Sequence, residues 1–494
     1  MFEAAELGRQ ISKKEFAAEE PGLRTQLLEA QLALRDAGIA TVILVAGVEG
    51  AGRGYVVNRL NKWLDSRGIQ TYAFWDETDE ERERPPYWRY WRALPARGGI
   101  GVLFGAWYGP ALHEHAHGEI DDDAFDRQLN RIADFEHMLT LDGMLLIKFW
   151  FHLSRDAQAQ RFKSFTKKGP TKRKLTVQEK HYAKHYDAHI RSAERAIRMT
   201  DSGDSPWYLI ESADHEYRDL TMGRTLLAAM RRRLEQNGGV IEAGLHDAQP
   251  PAVPEAKVTI LDHLDMTPSL STSQYHRALE THQHALNRLS WAAWEKKRSA
   301  VVVLEGWDAA GKGGAIRRMT DLMDARLYRV ISVGAPSDEE LAHHYLWRFW
   351  RHIPRAGYMT LYDRSWYGRV LVERIERLAT DAEWMRAYHE INDFEEQLRE
   401  RGIALSKFWI HIDQDEQLKR FEDRERTPWK RYKITKDDWR NRAQWEAYKT
   451  AVNDMVAHTS TAHAPWVLIA GNDKRHARIA MLQQLVATLE SMLD

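Results

Sequence analysis

Two stretches of this chain repeat one pattern at a constant spacing, and this repeat limits the fold more than any other feature. Residues 47–54 match residues 306–313, which lie 259 positions later. The same spacing aligns further segments: Trp88-Arg89 with Trp347-Arg348, Trp107-Tyr108-Gly109 with Trp366-Tyr367-Gly368, Asp134-Phe135-Glu136 with Asp393-Phe394-Glu395, Lys148-Phe149-Trp150 with Lys407-Phe408-Trp409, and Pro206-Trp207 with Pro465-Trp466. Because one shift runs from the first loop to the last strand, we predict two copies of one fold.

The length of the chain agrees with two domains. It has 494 residues, enough for two or three domains. We predict one domain over residues 1–236 and a second over residues 259–494. Residues 237–258 between them contain two adjacent glycines and a proline-rich run, a composition typical of a linker.

Within each copy, short apolar runs alternate with helical patterns. In the second copy a leading helix is predicted over residues 278–297. The predicted strands cover residues 301–304, 328–333, 358–363, 404–412 and 466–469. Strands separated by helices indicate an α/β fold with a parallel sheet and helices on both faces, here in tandem, with ligands at the carboxyl ends of the strands.

Residues 306–314 form a glycine-rich loop between a strand and a helix start. The loop reads Gly-Trp-Asp-Ala-Ala-Gly-Lys-Gly-Gly. In such a loop backbone N–H groups and the helix N-terminus face phosphate oxygens, and Lys312 adds a positive charge. Gly313 stands where the usual motif has a hydroxyl for Mg²⁺, so Asp308 is the expected substitute. The alternative is a plain glycine turn with a surface lysine.

A second acidic position follows the apolar strand of residues 358–363. That strand ends in Asp363 and is followed by Arg364. A carboxylate at a strand end beside a phosphate loop is the arrangement that holds Mg²⁺ on a transferring phosphoryl group. We therefore predict that Asp308 and Asp363 hold Mg²⁺ and that Arg364 and Arg369 neutralise phosphate oxygens. A surface ion pair at a helix start is the alternative.

Residues 417–442 carry ten cations against five acids, with Thr427-Pro428 interrupting the helical pattern. Phosphoryl-transfer enzymes of this architecture carry a lid here, and a closed lid excludes water. We predict a lid at about residues 414–445, with a solvated helix face as the alternative. The tryptophan-rich residues 346–352 are expected in the core rather than as a platform for base stacking. Glu373 is expected to contact the metal or the acceptor, or to lie on a solvated face.

The first copy lacks the residues that would carry chemistry. It has Glu49, Arg53, Phe104, Gly105 and Pro110 at the positions of Asp308, Lys312, Asp363, Arg364 and Arg369. A phenylalanine cannot bind Mg²⁺, so we predict that the first copy is degenerate and inactive. Its lid region stays basic, and binding of a polyanion there is left open.

Composition excludes several classes of protein. The chain has no cysteine, which excludes disulfides, thiolate metal sites and a cysteine nucleophile. Its net charge of −1 means that any polyanion must bind at a local patch. No stretch approaches the roughly 18 apolar residues of a membrane-spanning helix, so we expect a cytoplasmic protein without a membrane partner.

The loop, Asp363-Arg364-Ser365-Trp366-Tyr367, and the lid around Arg420, Phe421 and Arg424 resemble the family-2 polyphosphate kinases, specifically their fused two-domain type. This resemblance covers nearly the whole chain in duplicate. It implies a P-loop kinase-like three-layer fold with a helical lid, Mg²⁺ as cofactor, and transfer of the terminal phosphoryl group of inorganic polyphosphate to a nucleotide or the reverse. Members with a degenerate first half convert AMP to ADP.

The resemblance and the residues together give a predicted site. Asp308, Lys312, Asp363 and Arg364 are the expected catalytic residues. The expected phosphate- and nucleotide-binding residues are Gly306, Ala310, Gly311, Gly313, Gly314, Arg317, Arg369, Glu373, Arg420, Arg424, Arg426 and Lys430.

Rival functions remain open at this point. They are an ATP-dependent nucleoside monophosphate kinase, a polyphosphate-dependent kinase of nucleoside diphosphates, a polyanion-binding scaffold and a nucleic-acid-dependent ATPase. We expect inorganic polyphosphate and AMP as substrates and no nucleic acid, and we leave open GMP as an acceptor and a homo-oligomer. Nucleic-acid binding would give an affinity that falls steeply with salt.

Overall fold

The computed structural model describes residues 1–74, 76–166, 173–236 and 259–494. The chain divides into two compact units. Among the described residues the first unit holds residues 1–77, 89–236 and 338–344, and the second holds residues 78–88, 259–337 and 345–494. The predicted linker, 237–258, lies outside the described residues. The domain limits 1–236 and 259–494 stay a prediction, from which the units differ in two short segments.

Each unit is built on a five-stranded sheet whose neighbouring strands are all parallel. The strands of the first sheet are β1 Thr41–Gly47, β2 Ile69–Ala73, β3 Ile100–Phe104, β4 Leu145–His152 and β5 Trp207–Glu211, in the order β2-β3-β1-β4-β5. Those of the second sheet are β6 Ser299–Gly306, β7 Tyr328–Ser332, β8 Met359–Asp363, β9 Ile403–His411 and β10 Trp466–Ala470, in the order β7-β8-β6-β9-β10. The two orders are equivalent, which confirms the duplication and the predicted strands of the second copy.

Helices connect the strands. Those before residue 237 are α1 Lys13–Asp36, α2 Arg53–Trp63, α3 Asp79–Arg82, α4 Trp88–Trp91, α5 Tyr108–Ala116, α6 Asp122–Leu141, α7 Arg155–Thr166, α8 Val177–Lys184, α9 Tyr186–Thr200 and α10 His215–Glu235. Those after residue 258 are α11 Thr272–Glu295, α12 Lys312–Thr320, α13 Asp338–Leu341, α14 Trp347–Trp350, α15 Val372–Ile375, α16 Asp381–Glu400, α17 Gln414–Arg426, α18 Lys436–Ala443, α19 Trp445–Thr459 and α20 Lys474–Leu493. Short 3₁₀ turns cover Phe2–Ala5, Ser66–Gly68, Ile260–His263, Trp366–Arg369 and Pro428–Lys433.

Capping explains where helices begin. The leading helix α11 begins six residues before its predicted start, because the side chain of Ser271 accepts a hydrogen bond from the Gln274 backbone and the Gln274 side chain accepts one from the Ser271 backbone. In the segment predicted to be a lid, α17 ends at Arg426 and Pro428 starts the next turn, so the predicted break at Thr427-Pro428 is confirmed.

The repeated tryptophans, acids and lysines form one buried network in each unit. In the second unit Lys407 Nζ lies 2.7 Å from Glu395 Oε2, and it donates to the Thr459 carbonyl oxygen at 2.7 Å. The indole of Trp366 donates to Glu395 at 3.0 Å. Both charged side chains of this pair are almost completely buried, so their hydrogen bonds offset the cost of removing them from water.

The first unit repeats this network. Lys148 lies 2.6 Å from Glu136 and donates to the Thr200 carbonyl oxygen at 2.7 Å, while Trp107 donates to Glu136 at 2.9 Å. The repeated sequence letters therefore belong to the scaffold rather than to the chemistry.

Two further expectations concern apolar side chains. Trp347, Phe349 and Trp350 are buried, which confirms that the tryptophan-rich segment belongs to the core. Among the helices of the described residues, none combines the length and the apolar character that a membrane crossing needs.

Candidate active site

The glycine loop, residues 306–314, joins β6 to α12. Gly306 has φ 151°, and a Cβ atom there would lie 2.6 Å from the Ile410 carbonyl oxygen, so only glycine fits. α12 begins at Lys312, directly after Gly311 in the left-handed conformation. The Lys312 ammonium group donates to the carbonyl oxygens of Gly306 at 2.7 Å and Trp307 at 3.3 Å. Lys312 therefore donates hydrogen bonds to carbonyl oxygens of its own loop, whereas the motif predicts that its ammonium group contacts phosphate.

Asp308 lies inside this loop and is held from two sides. Its Oδ1 accepts from Arg364 Nη2 at 2.9 Å, and its Oδ2 accepts from Asn441 Nδ2 at 2.8 Å. Arg364 follows β8, and Asn441 lies on the lid helix α18. The carboxylate thus links the loop, the end of a strand and the lid.

Asp363 ends β8 beside the same loop. Its Oδ2 lies 3.4 Å from the position that a Cβ atom of Gly313 would occupy. A side chain at position 313 would thus start in contact with this carboxylate. Asp363 is half-buried and makes no side-chain hydrogen bond or ion pair with any residue that the structure describes, so its oxygens are available to a cation.

Three carboxylates near Lys312 and Arg364 favour the charged forms of these two side chains. Burial lowers the pKa of Lys312, as does the nearby Arg364 guanidinium, whereas Asp308, Asp363 and Glu305 oppose this shift. Although burial opposes its charge, the same three acids raise the pKa of Arg364. A phosphate group here would meet two cations that are already compensated by acids.

Glu305 is a site residue that the sequence reasoning missed. It is buried at the end of β6, and its Oε1 accepts a hydrogen bond from Ser365 Oγ at 2.8 Å. Burial raises the pKa of Glu305, and Lys312 opposes this shift. This hydrogen bond therefore ties the end of β6 to the residue that follows Asp363 and Arg364.

Aromatic stacking anchors the loop to the helix that follows the lid. The indole rings of Trp307 and Trp445 stack with centroids 3.8 Å apart and planes within 7°. Trp307 Nε1 lies 3.1 Å from His411 Nδ1. Because burial lowers the pKa of His411 to about 4, the ring is neutral at pH 7 and Nδ1 can accept this hydrogen bond.

Arg420 holds the backbone of the loop. Its Nη1 donates to the carbonyl oxygens of Ala309 at 3.0 Å and Ala310 at 2.9 Å, and its Nη2 donates to that of Gly471 at 2.6 Å. In the first unit Arg161, its equivalent, donates to the carbonyl oxygens of Ser212 and Ala213. These contacts favour a structural role for Arg420, and its predicted phosphate contact stays a prediction.

Three other predicted phosphate-binding cations, all in the predicted lid, contact residues of that same segment. Arg424 donates to the Lys433 carbonyl oxygen at 2.9 Å. Arg426 and Lys430 form exposed ion pairs with lid acids, Glu422 at 2.6 Å and Asp423 at 2.7 Å respectively. Exposed pairs of this kind contribute about 0–1 kcal/mol, so a polyanion can replace the acids.

Arg369 and Glu373 pair with one another. Arg369 Nη1 lies 3.2 Å from Glu373 Oε2, and its guanidinium lies 4.5 Å from the centroid of the Tyr345 ring. Arg317 is exposed on α12. The structure therefore brings Asp308, Lys312, Asp363 and Arg364 together and leaves the remaining predicted residues around this group.

In the first unit, side chains of the same unit contact the equivalent loop. Arg53 forms an ion pair with Glu49, and its guanidinium lies 5.1 Å from the centroid of the Phe104 ring. Arg218 donates to the Ala51 carbonyl oxygen at 3.1 Å, and its Nη1 lies only 2.1 Å from the position of a Cβ atom on Gly52. This loop thus has Arg53 and Arg218 against it, and Phe104 stands at the position of Asp363.

Comparison with known proteins identifies the family. A family model described as polyphosphate kinase 2 matches residues 10–238 and 269–494. The chain belongs to the polyphosphate kinase 2 family. It is 45% identical over 496 residues to a polyphosphate:AMP phosphotransferase from Pseudomonas aeruginosa, covering 99% of both chains. It is 44% identical over 494 residues to another from Pseudomonas syringae pv. tomato, covering 99% of this chain and 98% of that one.

A solved structure agrees with this membership. A crystal structure from Pseudomonas aeruginosa PA01, assigned to polyphosphate kinase 2, aligns with a TM-score of 0.88 at 44% identity, covering 100% of this chain and 99% of the other. The tandem α/β fold predicted from the sequence is therefore confirmed, together with the family that the motifs resemble.

Further residues at the site were not predicted, although a signal for some of them was present. Where the second unit has Glu305, Ser365 and Asn441, the first has Ala46, Ala106 and Tyr182 at the positions 259 residues earlier. Extending the comparison of the copies beyond the loop would have singled out these differences. Arg478, whose Nη2 lies 3.5 Å from the Cβ position at Gly314, belongs to α20 and carries no motif of its own.

The donor set fits a hard divalent cation. Asp308 and Asp363 offer carboxylate oxygens, the ligands that Mg²⁺ prefers. The open carboxylate of Asp363 beside a residue without a side chain leaves space for an ion. The first unit, with Phe104 at the equivalent position, offers no such pair.

Proposed function

We propose that this chain transfers the terminal phosphoryl group of inorganic polyphosphate to AMP, which gives ADP, and that it does so in the cytoplasm. The observation that carries the proposal is the group of Lys312, Asp308, Asp363 and Arg364 at the glycine loop of the second unit. Full-length relatives that bear the name polyphosphate:AMP phosphotransferase support the choice of substrates.

Lys312 and Arg364 are proposed to bind the transferring group. The Lys312 ammonium now donates to two loop carbonyl oxygens, and a phosphate oxygen would be a stronger, charged acceptor. Arg364 is half-exposed and can turn from Asp308 toward phosphate. Two cations aimed at the oxygens of the transferring group stabilise the charge that develops there, and positioning does most of the remaining work.

Asp308 and Asp363 are proposed to hold Mg²⁺. When bound, Mg²⁺ would neutralise part of the charge on the phosphate oxygens. Asn441 keeps one oxygen of Asp308 fixed, so that the other is free to face a cation once Arg364 turns to phosphate. The half-buried Asp363 already faces the loop.

The donor is proposed to lie along the cations of the lid and of α20. A chain of phosphates needs a series of positive charges rather than a base pocket. Arg317, Arg424, Arg426 and Lys430 supply such charges, together with Arg478 beside Gly314. When polyphosphate binds, the lid would exchange its own exposed acid partners for phosphate and exclude water from the reaction.

The first unit is proposed to be inactive. Its Glu49–Arg53 pair and Phe104 occupy the loop, and Arg173 of its lid region pairs with Glu179. Lys167, Lys168 and Lys172, which the sequence suggested for a polyanion, lie outside the described residues. Binding of a polyanion by this unit stays a prediction.

The test is product analysis with a single phosphoryl donor. The purified full chain is incubated with AMP, Mg²⁺ and polyphosphate, without ATP, and nucleotides are separated by ion-exchange chromatography. We expect ADP to form in proportion to the polyphosphate consumed, and none with EDTA. ADP formation only when ATP replaces polyphosphate would refute the proposal in favour of a nucleoside monophosphate kinase. Turnover of ADP or GDP but not AMP would assign a diphosphate acceptor instead.

A further inference from the structure

The first unit contains a group of five histidines that its missing phosphate site does not explain. They lie within or directly at the ends of α5, α8 and α9 and are His113, His117, His181, His185 and His189. The ring centroid of His117 lies 4.0 Å from that of His113, 4.4 Å from that of His181 and 5.1 Å from that of His189. The rings of His181 and His185 are 4.5 Å apart. Imidazoles from separate helices thus meet around His117.

His117 has the hydrogen bonding of a metal ligand. Its Nδ1 lies 2.7 Å from the His113 carbonyl oxygen, and since a carbonyl only accepts, Nδ1 carries the proton. Nε2 then presents a lone pair. It is buried and has no hydrogen-bond partner among the described residues. Histidines that bind metals typically donate the other ring N–H to a carbonyl or carboxylate in this way.

A second buried imidazole nitrogen near His117 also lacks a partner among the described residues. His189 is 9% exposed, and its Nε2 also lacks a hydrogen-bond partner among the described residues. On the exposed side, one ligand atom each from His113, His117 and Glu119 lie within 4.8 Å of one another. Buried polar nitrogens without partners are rare and call for an explanation, such as a bound ion.

The second unit shows what this group replaces. At the positions of His117, His181 and His185 it has Glu376, Arg440 and Gln444. Arg440 Nε lies 3.0 Å from Glu376 Oε2, and Gln444 donates to Glu376 at 3.3 Å. This ion pair connects the lid helix α18 to α15.

Histidines cannot reproduce the contact of Glu376 with Arg440 by themselves. Neutral imidazoles do not attract one another as opposite charges do, and two protonated ones repel. Each imidazole instead offers a nitrogen lone pair to a cation. A cation between the lone pairs would restore the link between the helices.

We propose that His113, His117 and Glu119 bind a zinc-class transition metal ion at the end of α5 in the first unit, where His181 of α8 lies beside His117. His113 and His117, like His181 and His185, are four residues apart on a helical segment, the spacing that places two imidazoles on one face for a metal. Imidazole nitrogens suit Zn²⁺, Cu²⁺ and Ni²⁺, whereas Mg²⁺ prefers oxygen. The site is thus chemically separate from the carboxylates of the second unit, and the rings of His181 and His185 lie next to that of His117.

The experiment uses the full chain without an affinity tag, stripped of metal with a chelator. Zinc binding is measured by isothermal titration and by metal analysis after gel filtration, and the melting temperature is recorded with Zn²⁺, Mg²⁺ or chelator. We expect one bound Zn²⁺ per chain and a higher melting temperature with Zn²⁺, but neither effect with Mg²⁺. Absence of zinc binding, or an equal effect of Mg²⁺, would overturn the proposal.

The test variant combines His117→Glu with His181→Arg and so introduces the ion pair of the second unit into the first unit. This change copies Glu376 and Arg440 and should keep the helices joined, so the melting temperature in chelator should be at least that of the wild type in chelator. Its zinc affinity should fall by at least about tenfold, the loss seen even for residues that only support metal ligands. His276→Ala, an exposed histidine on α11, is the control and should bind zinc as the wild type does. Unchanged zinc affinity in the double variant would refute the site, and all readouts are independent of phosphoryl transfer.

Discussion

In the first unit an arginine of the glycine loop pairs with the glutamate four residues before it, and a phenylalanine lies against that arginine. In the second unit the equivalent lysine lies among three carboxylates. Both units nevertheless keep the same buried lysine–glutamate pair, with nearly equal distances of 2.6 and 2.7 Å. The scaffold of this fold therefore does not depend on the residues of the candidate site. Most of the residues that the two copies share belong to this scaffold.

The backbone of the two units carries a second difference. Arg364 and Ala309 have φ of 65° and 63°, in the left-handed region, and the first unit has Gly105 and Gly50 at these positions, with φ of 68° and 88°. Holding a residue other than glycine there costs on the order of 1 kcal/mol. The second unit retains this strain at Arg364, whose side chain contacts Asp308. The first unit has a glycine at this position and therefore no side chain that could make such a contact.

Replacement of Lys312 tests whether the second unit carries all the activity. Lys312→Ala removes the cation at the start of α12, and we expect turnover of AMP with polyphosphate to fall about 1000-fold, as for loss of a group that stabilises the transition state. Initial rates of ADP formation provide the measurement. Lys312→Arg, which copies Arg53, is the matched variant and should also be impaired, since a guanidinium does not fit the position of an ammonium. Near-native turnover in Lys312→Ala would remove the loop from the mechanism.

The two buried ion pairs test whether the scaffolds are equivalent. Glu395→Gln leaves Lys407 as an unpaired buried charge, and Glu136→Gln does the same for Lys148. We expect each variant to lose about 3 kcal/mol of the free energy of unfolding of its unit. Calorimetric melting of the full chain gives the comparison. A large loss in one variant and none in the other would show that the networks are equivalent in geometry only.

Asn441 tests the contribution of a lid residue that differs between the units. Asn441→Ala removes the hydrogen bond to Asp308 Oδ2, and we expect kcat to fall about tenfold, because one hydrogen bond to a charged group contributes roughly 1.5 kcal/mol. The Mg²⁺ concentration for half-maximal rate should rise as well. Gln444→Ala on the neighbouring turn, which does not contact Asp308, is the control. If both variants lose the same rate, Asn441 acts through lid stability and not through Asp308.

These same residues show which parts of the fold and of the candidate site could be predicted from the sequence. The strands of the second unit were predicted because central parallel strands such as β6 are apolar throughout and buried on both faces. Asp308, Lys312 and Asp363 could be predicted to lie together because a loop motif and a strand end are local in sequence. Asn441 lies 133 residues after Asp308 in the sequence, and no local sequence pattern indicates that the two side chains come into contact.

The role of Arg420 could not be read from the sequence either. A basic run indicates charge but not the direction in which each side chain points. In the structure Arg420 is buried and donates to backbone carbonyl oxygens of the loop. That Arg161 keeps a similar role in the first unit is a clue that becomes usable only when the contacts are known.

The left-handed positions offer a smaller effect on stability, with opposite sign in the two units. Ala309→Gly should raise the free energy of unfolding by about 0.5 kcal/mol, because relief of strain outweighs the added freedom of the unfolded chain. Gly50→Ala should lower it by about 1 kcal/mol, since the new Cβ atom would also lie 3.0 Å from Phe162. Calorimetric melting of both variants measures the two shifts. Equal shifts of one sign would mean that strain at Ala309 is already relieved elsewhere.

The smallest expected effect concerns a turn that both units share. Asp65 and Asp324 accept hydrogen bonds from the side chains and backbones of Arg67 and Arg326, which lower the pKa of each carboxyl to about 2. Because the folded pKa lies below the unfolded value of 3.8, the stabilisation is complete above that value and is lost as the pH falls toward 2.

Asp65→Asn and Asp324→Asn should therefore each reduce the decrease in melting temperature between pH 5 and pH 3, by similar small amounts. The two exposed turns have the same geometry, with 2.6 Å between the ion-pair atoms in each, so a clear difference between the variants would have to come from the unit around the turn. In that case the two scaffolds would differ in acid stability although their sheets and buried pairs are the same.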